Sequence, residues 1–178
     1  DSIIDECGEC DGDGAQSLCW DGTTGCDDDD CSATPLNYPD WDSNHDGVID
    51  NYPFYEFNGS VTARVYLDGE EFGANLDMIA AFVDGELRGV ARASDVPDGF
   101  LGGGYAFLMM VYSNESSGET LVFKYYNYGS DTVFDISETL EFTTDMIVGD
   151  VTIDGAFNMN ISTSTEISFD LISGWSWF

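Results

Sequence analysis

The chain has 178 residues, 35 of them acidic and only 4 basic, for a formal net charge of −31. That balance excludes nucleic acid and anionic membrane surfaces as partners, since affinity for either rests on Lys and Arg meeting phosphate; nor does any apolar run approach the roughly 20 residues that span a bilayer. Hydrophobic residues still make up 43% and aromatics 14%, enough for a buried core, so the acidity points to inorganic cations rather than to disorder.

The chain begins at Asp1 rather than Met and carries no signal-peptide pattern, and it is expected to be a processed or excised piece of a longer product. Residues 1–56 are rich in Gly, Asp and Cys and show neither a helical nor a strand period. Cys7, Cys10, Cys19, Cys26 and Cys31 fall within 25 residues, and no cysteine follows. Such clustering predicts disulfides, at least two, stapling a segment too polar to form its own core in an oxidising, extracellular setting. A zinc site is the rival reading of "CGEC". The second CxxC is missing, however, and the one histidine, His45, sits in an acidic loop. Five is odd, so one thiol is free, bonded to another chain, or paired with a residue outside this one. Spacing does not select the pairs.

Residues 1–58 contain 16 carboxylates and no Lys or Arg. Apart from the amino terminus and His45, the segment has no cation of its own, and its carboxylates repel one another. The stretch "DSNHDGVID" puts oxygen donors at alternate positions: Asp42, Asn44, Asp46, the Val48 carbonyl and Asp50, with Gly47 at the turn. This is the order in which an EF-hand loop supplies calcium. Position 12 of that frame, normally a bidentate Glu, is Pro53, and Pro39 and Pro53 bracket the loop. Asp40 or Glu56 is left to complete the shell. Glu9, Asp11 and Asp13, followed by Gly14 and Ser17, repeat the frame more weakly as a second calcium candidate. Four adjacent carboxylates in "CDDDDC" point in divergent directions, and a solvated or shared-ion patch is expected there.

From Phe57 the pattern changes to strand alternation, so the chain is read as an acidic segment, 1–56, and a β domain, 57–178. "GSVTARVYL" places Val61, Ala63, Val65 and Leu67 on one face. "DMIAAFV" and "ELRGVAR" flank Asp84-Gly85, a strong hairpin signal. Further strands are predicted at 105–112, 119–126, 132–136, 139–142, 146–153, 156–162 and 167–172. The run "FLMM" is expected to be core, buried on both faces. Asp68-Gly69 and Asp154-Gly155 read as hairpin turns. The fold class is all-β, an antiparallel two-sheet β-sandwich preceded by an irregular, disulfide- and calcium-stabilised N-terminal segment.

Three resemblances follow from these residues. "DECGECDGDG" followed by "DWDSNHDGVID" resembles the calcium-loaded, disulfide-linked loops of thrombospondin type 3 repeats, and its nine-residue loop is similar to a dockerin calcium loop. "DMIAAFVDGELRGVA", "MVYSNESSGETLVFKYY" and "ISFDLISGWSWF" resemble repeated β-sandwich modules of large secreted bacterial surface proteins. The resemblance implies an adhesive or scaffolding role at the cell surface and brings no catalytic motif.

No Cys/His pair or singled-out carboxylate pair suggests an enzyme. The expected function is an extracellular, calcium-stabilised structural module joined to further copies of itself head-to-tail, with Trp175, Trp177 and Phe178 on an unprotected last strand as the assembly surface. The alternative is a carbohydrate-binding module presenting Tyr125, Tyr126, Tyr128, Trp175 and Trp177 to surface glycans, although packing is the favoured role for the tryptophans. Asn58, Asn114 and Asn160 head sequons that could carry glycans.

Overall fold

A computed structural model describes residues 4, 5, 7, 8, 14 and 17–162. The described chain is nearly all β. Two short strands, β1 (Ser17–Leu18) and β2 (Thr24–Gly25), pair with each other, and 3-10 turns occupy Asp28–Asp30 and Tyr52–Phe54. The main sheet holds β3 (Phe57–Leu67), β4 (Glu70–Glu71), β5 (Met78–Val83), β6 (Glu86–Asp95), β7 (Tyr105–Ser113), β8 (Ser117–Asn127), β9 (Thr132–Thr143), β10 (Ile147–Val148) and β11 (Phe157–Asn160). Its order is β10-β3-β7-β6-β5-β8-β9, with β4 and β11 also on β3.

The sheet curls until its ends meet. β11 lies parallel to β3, pairing Phe157 with Ala63 and Asn160 with Tyr66. The next residue, Ile161, bridges Ile136 of β9, and the Ser162 N–H donates to the Asp135 carbonyl at 2.7 Å. β6 turns the sheet: residues 86–92 pair with β5, and residues 93–95 with β7. Alternation on the curled strands aims Val61, Val65, Phe107, Met109, Leu121 and Phe123 into one core. The Asp84-Gly85 turn forms as expected, with φ of 50° and 83°, the left-handed pair that a two-residue hairpin requires.

Three expectations are corrected. "FLMM" is not buried on both faces: Phe107 and Met109 point into the core, whereas Leu108 is 54% and Met110 39% exposed. Strand alternation outweighs the hydrophobicity of the run. The two strands expected at 132–136 and 139–142 are one continuous β9, accommodated by register shifts against β8. The strand expected at 146–153 stops after Val148. Gly149 takes φ 75°, and Asp150 Oδ1 accepts the Thr152 N–H at 2.8 Å, folding the chain into a turn. The predicted strand at 167–172 lies outside the described residues.

The outer face of the sheet is covered as well. Ile49 packs on Met78, Val90 and Tyr126, joined by Tyr38, Trp41, Tyr55, Leu87 and Tyr112. β5 is therefore apolar on both faces because the acidic segment lies across one of them. Complete burial of Ile49 contributes on the order of 1.5–3 kcal/mol to holding that segment down.

Candidate functional site

The acidic loop is built around Asp42. Its side chain is fully buried, with Oδ1 accepting the Asp46 N–H at 3.2 Å and Oδ2 the Gly47 N–H at 2.8 Å. Asn44 Oδ1 accepts the Asp46 N–H at 3.1 Å, and Asp46 Oδ1 accepts the Val48 N–H at 2.8 Å. These side-chain-to-backbone bonds are the local turns that Asn and Asp favour. His45 and Gly47 take φ of 62° and 84° and reverse the chain twice. Asp50 Oδ2 accepts the Ser43 hydroxyl at 2.6 Å. The structure thus gathers Asp42, Asn44 and Asp46 into one turn, with Asp50 tied back to Ser43. Among the described residues, no three acidic, His or Cys side chains converge as a metal-holding group. Glu56 and Asp40 are exposed. Glu9, Asp11 and Asp13, the second calcium candidate, lie outside the described residues.

The acidic segment does have a protein cation, which corrects the expectation that its only ones are the amino terminus and His45. Arg92, on the outer face of β6, reaches into the segment, with Nε 3.6 Å from Asp42 Oδ2. Nη1 donates to the Trp20 carbonyl, and Nη2 lies 3.0 Å from the Tyr38 hydroxyl and 3.3 Å from His45 Nδ1. One guanidinium thereby joins the cysteine-rich loop, the linker and the acidic loop to the sheet. The planar fork of Arg suits such divided bonding, which a Lys ammonium would not reproduce. Four residues earlier on the same face, Arg88 lies 5.0 Å over the Tyr55 ring and pairs with Glu119 at 3.0 Å. All four basic residues are in ion pairs, Arg64 with Glu71 and Lys124 with Asp135 completing the set.

Two disulfides form, Cys7–Cys26 and Cys19–Cys31, and Cys10 lies outside the described residues. The second bridge brackets Trp20, whose indole N–H donates to the Ser32 carbonyl at 2.8 Å. The Trp20 ring packs between Tyr38 and Tyr128, at 5.4 and 5.5 Å. In the four-Asp run, Asp30 Oδ2 accepts the Cys26 N–H and Asp27 Oδ1 the Asp29 N–H, so these two carboxylates serve their own turn. Two disulfides point to a non-cytoplasmic or oxidising environment. No described helix is long and apolar enough to cross a membrane.

Of the aromatics considered for sugar stacking, Tyr125 and Tyr126 are fully buried. Tyr125 donates to buried Asp77, and Tyr126 to Asp131 at 2.8 Å. Tyr128 is 40% exposed; Trp175 and Trp177, with Phe178, lie outside the described residues. The sequon asparagines Asn58, Asn114 and Asn160 are exposed. Asn160 Nδ2 is already committed to Glu138 Oε1 at 2.8 Å, and Asn114 accepts the Glu56 N–H at 3.0 Å through Oδ1, leaving its amide nitrogen out of that bond.

Sequence reasoning missed Arg92 and the Trp20–Tyr38 pair as docking residues. A signal existed: Arg88, Val90 and Arg92 share one strand face, and two cations on one face are a large share of four. Comparison of the chain with family models, with curated proteins and with solved structures finds no match in any of the three.

Proposed function

We propose that this chain is a calcium-stabilised extracellular module with a structural or adhesive role rather than a catalytic one, repeated or polymerised head-to-tail in a surface fibre. The observation that carries the reading is the acidic loop folded around Asp42 and clamped, within a disulfide-stapled segment, to the β domain. This is architecture invested in holding loops rigid. Asp42, Asn44, Asp46, the Val48 carbonyl and Asp50 are hard oxygen donors, the chemistry calcium selects. Bound there, the ion would neutralise charge that Arg92 offsets only in part. The curled sheet is compatible with a sandwich, β6 being the strand shared by its two halves.

Assembly is assigned to the last strand, with Trp175, Trp177 and Phe178 as apolar anchors against a neighbouring copy. Sedimentation with calcium and with chelator tests the reading. The intact chain should form calcium-dependent oligomers, and truncation after Ser173 should leave folded monomers. If the intact chain stays monomeric with calcium and the truncation unfolds it, the last strand belongs to its own core.

A further inference from the structure

We propose that Arg92 is a clasp through which the Cys19–Cys31 disulfide governs the order of the acidic loop, making the 42–56 segment responsive to thiol reductants. The disulfide and the loop share no covalent link beyond the chain between them. They meet at Arg92, which lies beside Tyr38, whose ring packs on both Trp20 at 5.4 Å and His45 at 6.2 Å. Trp20, immediately after Cys19, presents its carbonyl to Arg92 Nη1, while the same guanidinium faces Tyr38, His45 and Asp42 with its other nitrogens. Trp20 is fixed for this by the bridge itself. It follows Cys19 directly in the chain, and its indole N–H bonds to Ser32, the residue after Cys31.

Between the two loops lies a cavity of about 280 Å³, lined by Cys19, Trp20 and Cys31 on one side and by Ser43, Asn44 and His45 on the other. Cys19 is buried and Cys31 only partly so, so Cys31 is the sulfur an incoming thiolate reaches, with Cys19 as the leaving group. A dithiol supplies two electrons and two protons. The Sγ–Sγ bond breaks to two cysteine thiols as the dithiol closes to its own disulfide. Once the bridge opens, the 19–32 turn loses its staple and Trp20 no longer holds Arg92 in place. Arg92 then has fewer fixed partners to orient it toward Asp42, whose carboxylate caps the Asp46 and Gly47 amides. The coupling acts through Arg92 whether or not a cation occupies the loop.

The test is hydrogen exchange on the intact chain at fixed calcium, read by mass spectrometry of peptic fragments. C19S/C31S, with Cys7–Cys26 left intact, should speed exchange in 42–56 by about tenfold, the scale of losing one bond to a charged group. Arg92→Gln should do the same, and the combined variant should exchange no faster than the faster of the two, because both act on one linkage. The inference is overturned if C19S/C31S loosens 17–34 but leaves 42–56 at its original rate, or if the two changes multiply in full. Should Arg92→Gln fail to fold, Arg92→Lys, which keeps the charge but not the planar fork that divides its bonds among Trp20, Tyr38 and Asp42, supplies the decision. Faster exchange in 42–56 upholds the clasp, and unchanged exchange there overturns it.

Discussion

Asp77 and Tyr125 meet in the interior of the protein, the tyrosine hydroxyl donating to a carboxylate that has no ion-pair partner among the described residues. The Ala74 and Tyr128 amides also donate to Asp77, each at 2.8 Å, and so does Asn127 Nδ2 at 3.3 Å. Burial pushes the Asp77 carboxyl up from its ordinary range, outweighing these hydrogen bonds, and the Tyr125 phenol is pushed up as well.

A pH prediction follows from that direction. The folded state holds the Asp77 proton to higher pH than the unfolded chain does, so stability falls as pH rises from the ordinary carboxylate value of 3.8 through the raised one. Asp77→Asn removes this titration. Thermal melts between pH 4 and pH 7 should show a shallower decline for Asp77→Asn than for the parent chain, and parallel declines would contradict the assignment.

Arg64 anchors a second buried polar cluster, its partner Glu71 lying one residue along from Phe72, which Tyr125 contacts. Fully buried, it donates to Glu71 Oε1 at 2.9 Å and to the carbonyls of Gly103, Leu101 and Val151 at 2.7, 3.3 and 2.9 Å. Arg64→Met leaves three carbonyls and a carboxylate without their donor and should cost about 3–5 kcal/mol in urea unfolding, as breaking a buried pair from one side does. A loss below about 1 kcal/mol would mean that water replaces the guanidinium.

Gly149 is the third test. Its φ is 75°, and a Cβ there would stand 2.3 Å from the Thr62 carbonyl and 2.7 Å from the Phe157 amide. Gly149→Ala should therefore destabilise by about 1–3 kcal/mol, whereas Gly69→Ala, with a similar φ of 84° but open space around it, should cost less. Equal losses would leave the left-handed backbone, not the close approach, as the cause.

Cation dependence is tested by proteolysis of the N-terminal segment with and without chelator. Chelation should expose residues 1–56 to cleavage while the sheet survives, because repulsion among the carboxylates opens the loops. By calorimetry Asp46→Ala should weaken calcium binding more than Asp28→Ala. Equal resistance in both conditions would remove calcium from the account, leaving Arg92 and the disulfides to hold the segment.

Local chemistry made parts of this fold legible. Asp84-Gly85 forms its hairpin because the turn is decided by two residues, and alternation located β3, β5, β6, β7 and β8 to within a few positions. What stayed hidden was tertiary. Nothing near Arg92 in sequence indicates that its partners are Trp20, Tyr38 and Asp42. Leu108 and Met110 look like core because hydrophobicity does not report which face of a strand is covered. The 42–50 loop was visible through its spacing, but its docking depends on Ile49 meeting Met78 and Val90 across the sheet. The weaker frame at Glu9, Asp11 and Asp13 lies where the structure offers no description.

The parallel seam between β3 and β11 has a mechanical meaning. Tension applied at the start of β3 and beyond the end of β11 pulls two neighbouring strands past each other along their length. The register pairs from Ala63–Phe157 to Tyr66–Asn160 would then bear the load together, whereas a hairpin pulled from its open end yields one bond at a time. In a thread of such units the rupture force would be set at that seam, and the β5–β6 hairpin would come apart only after it had slipped.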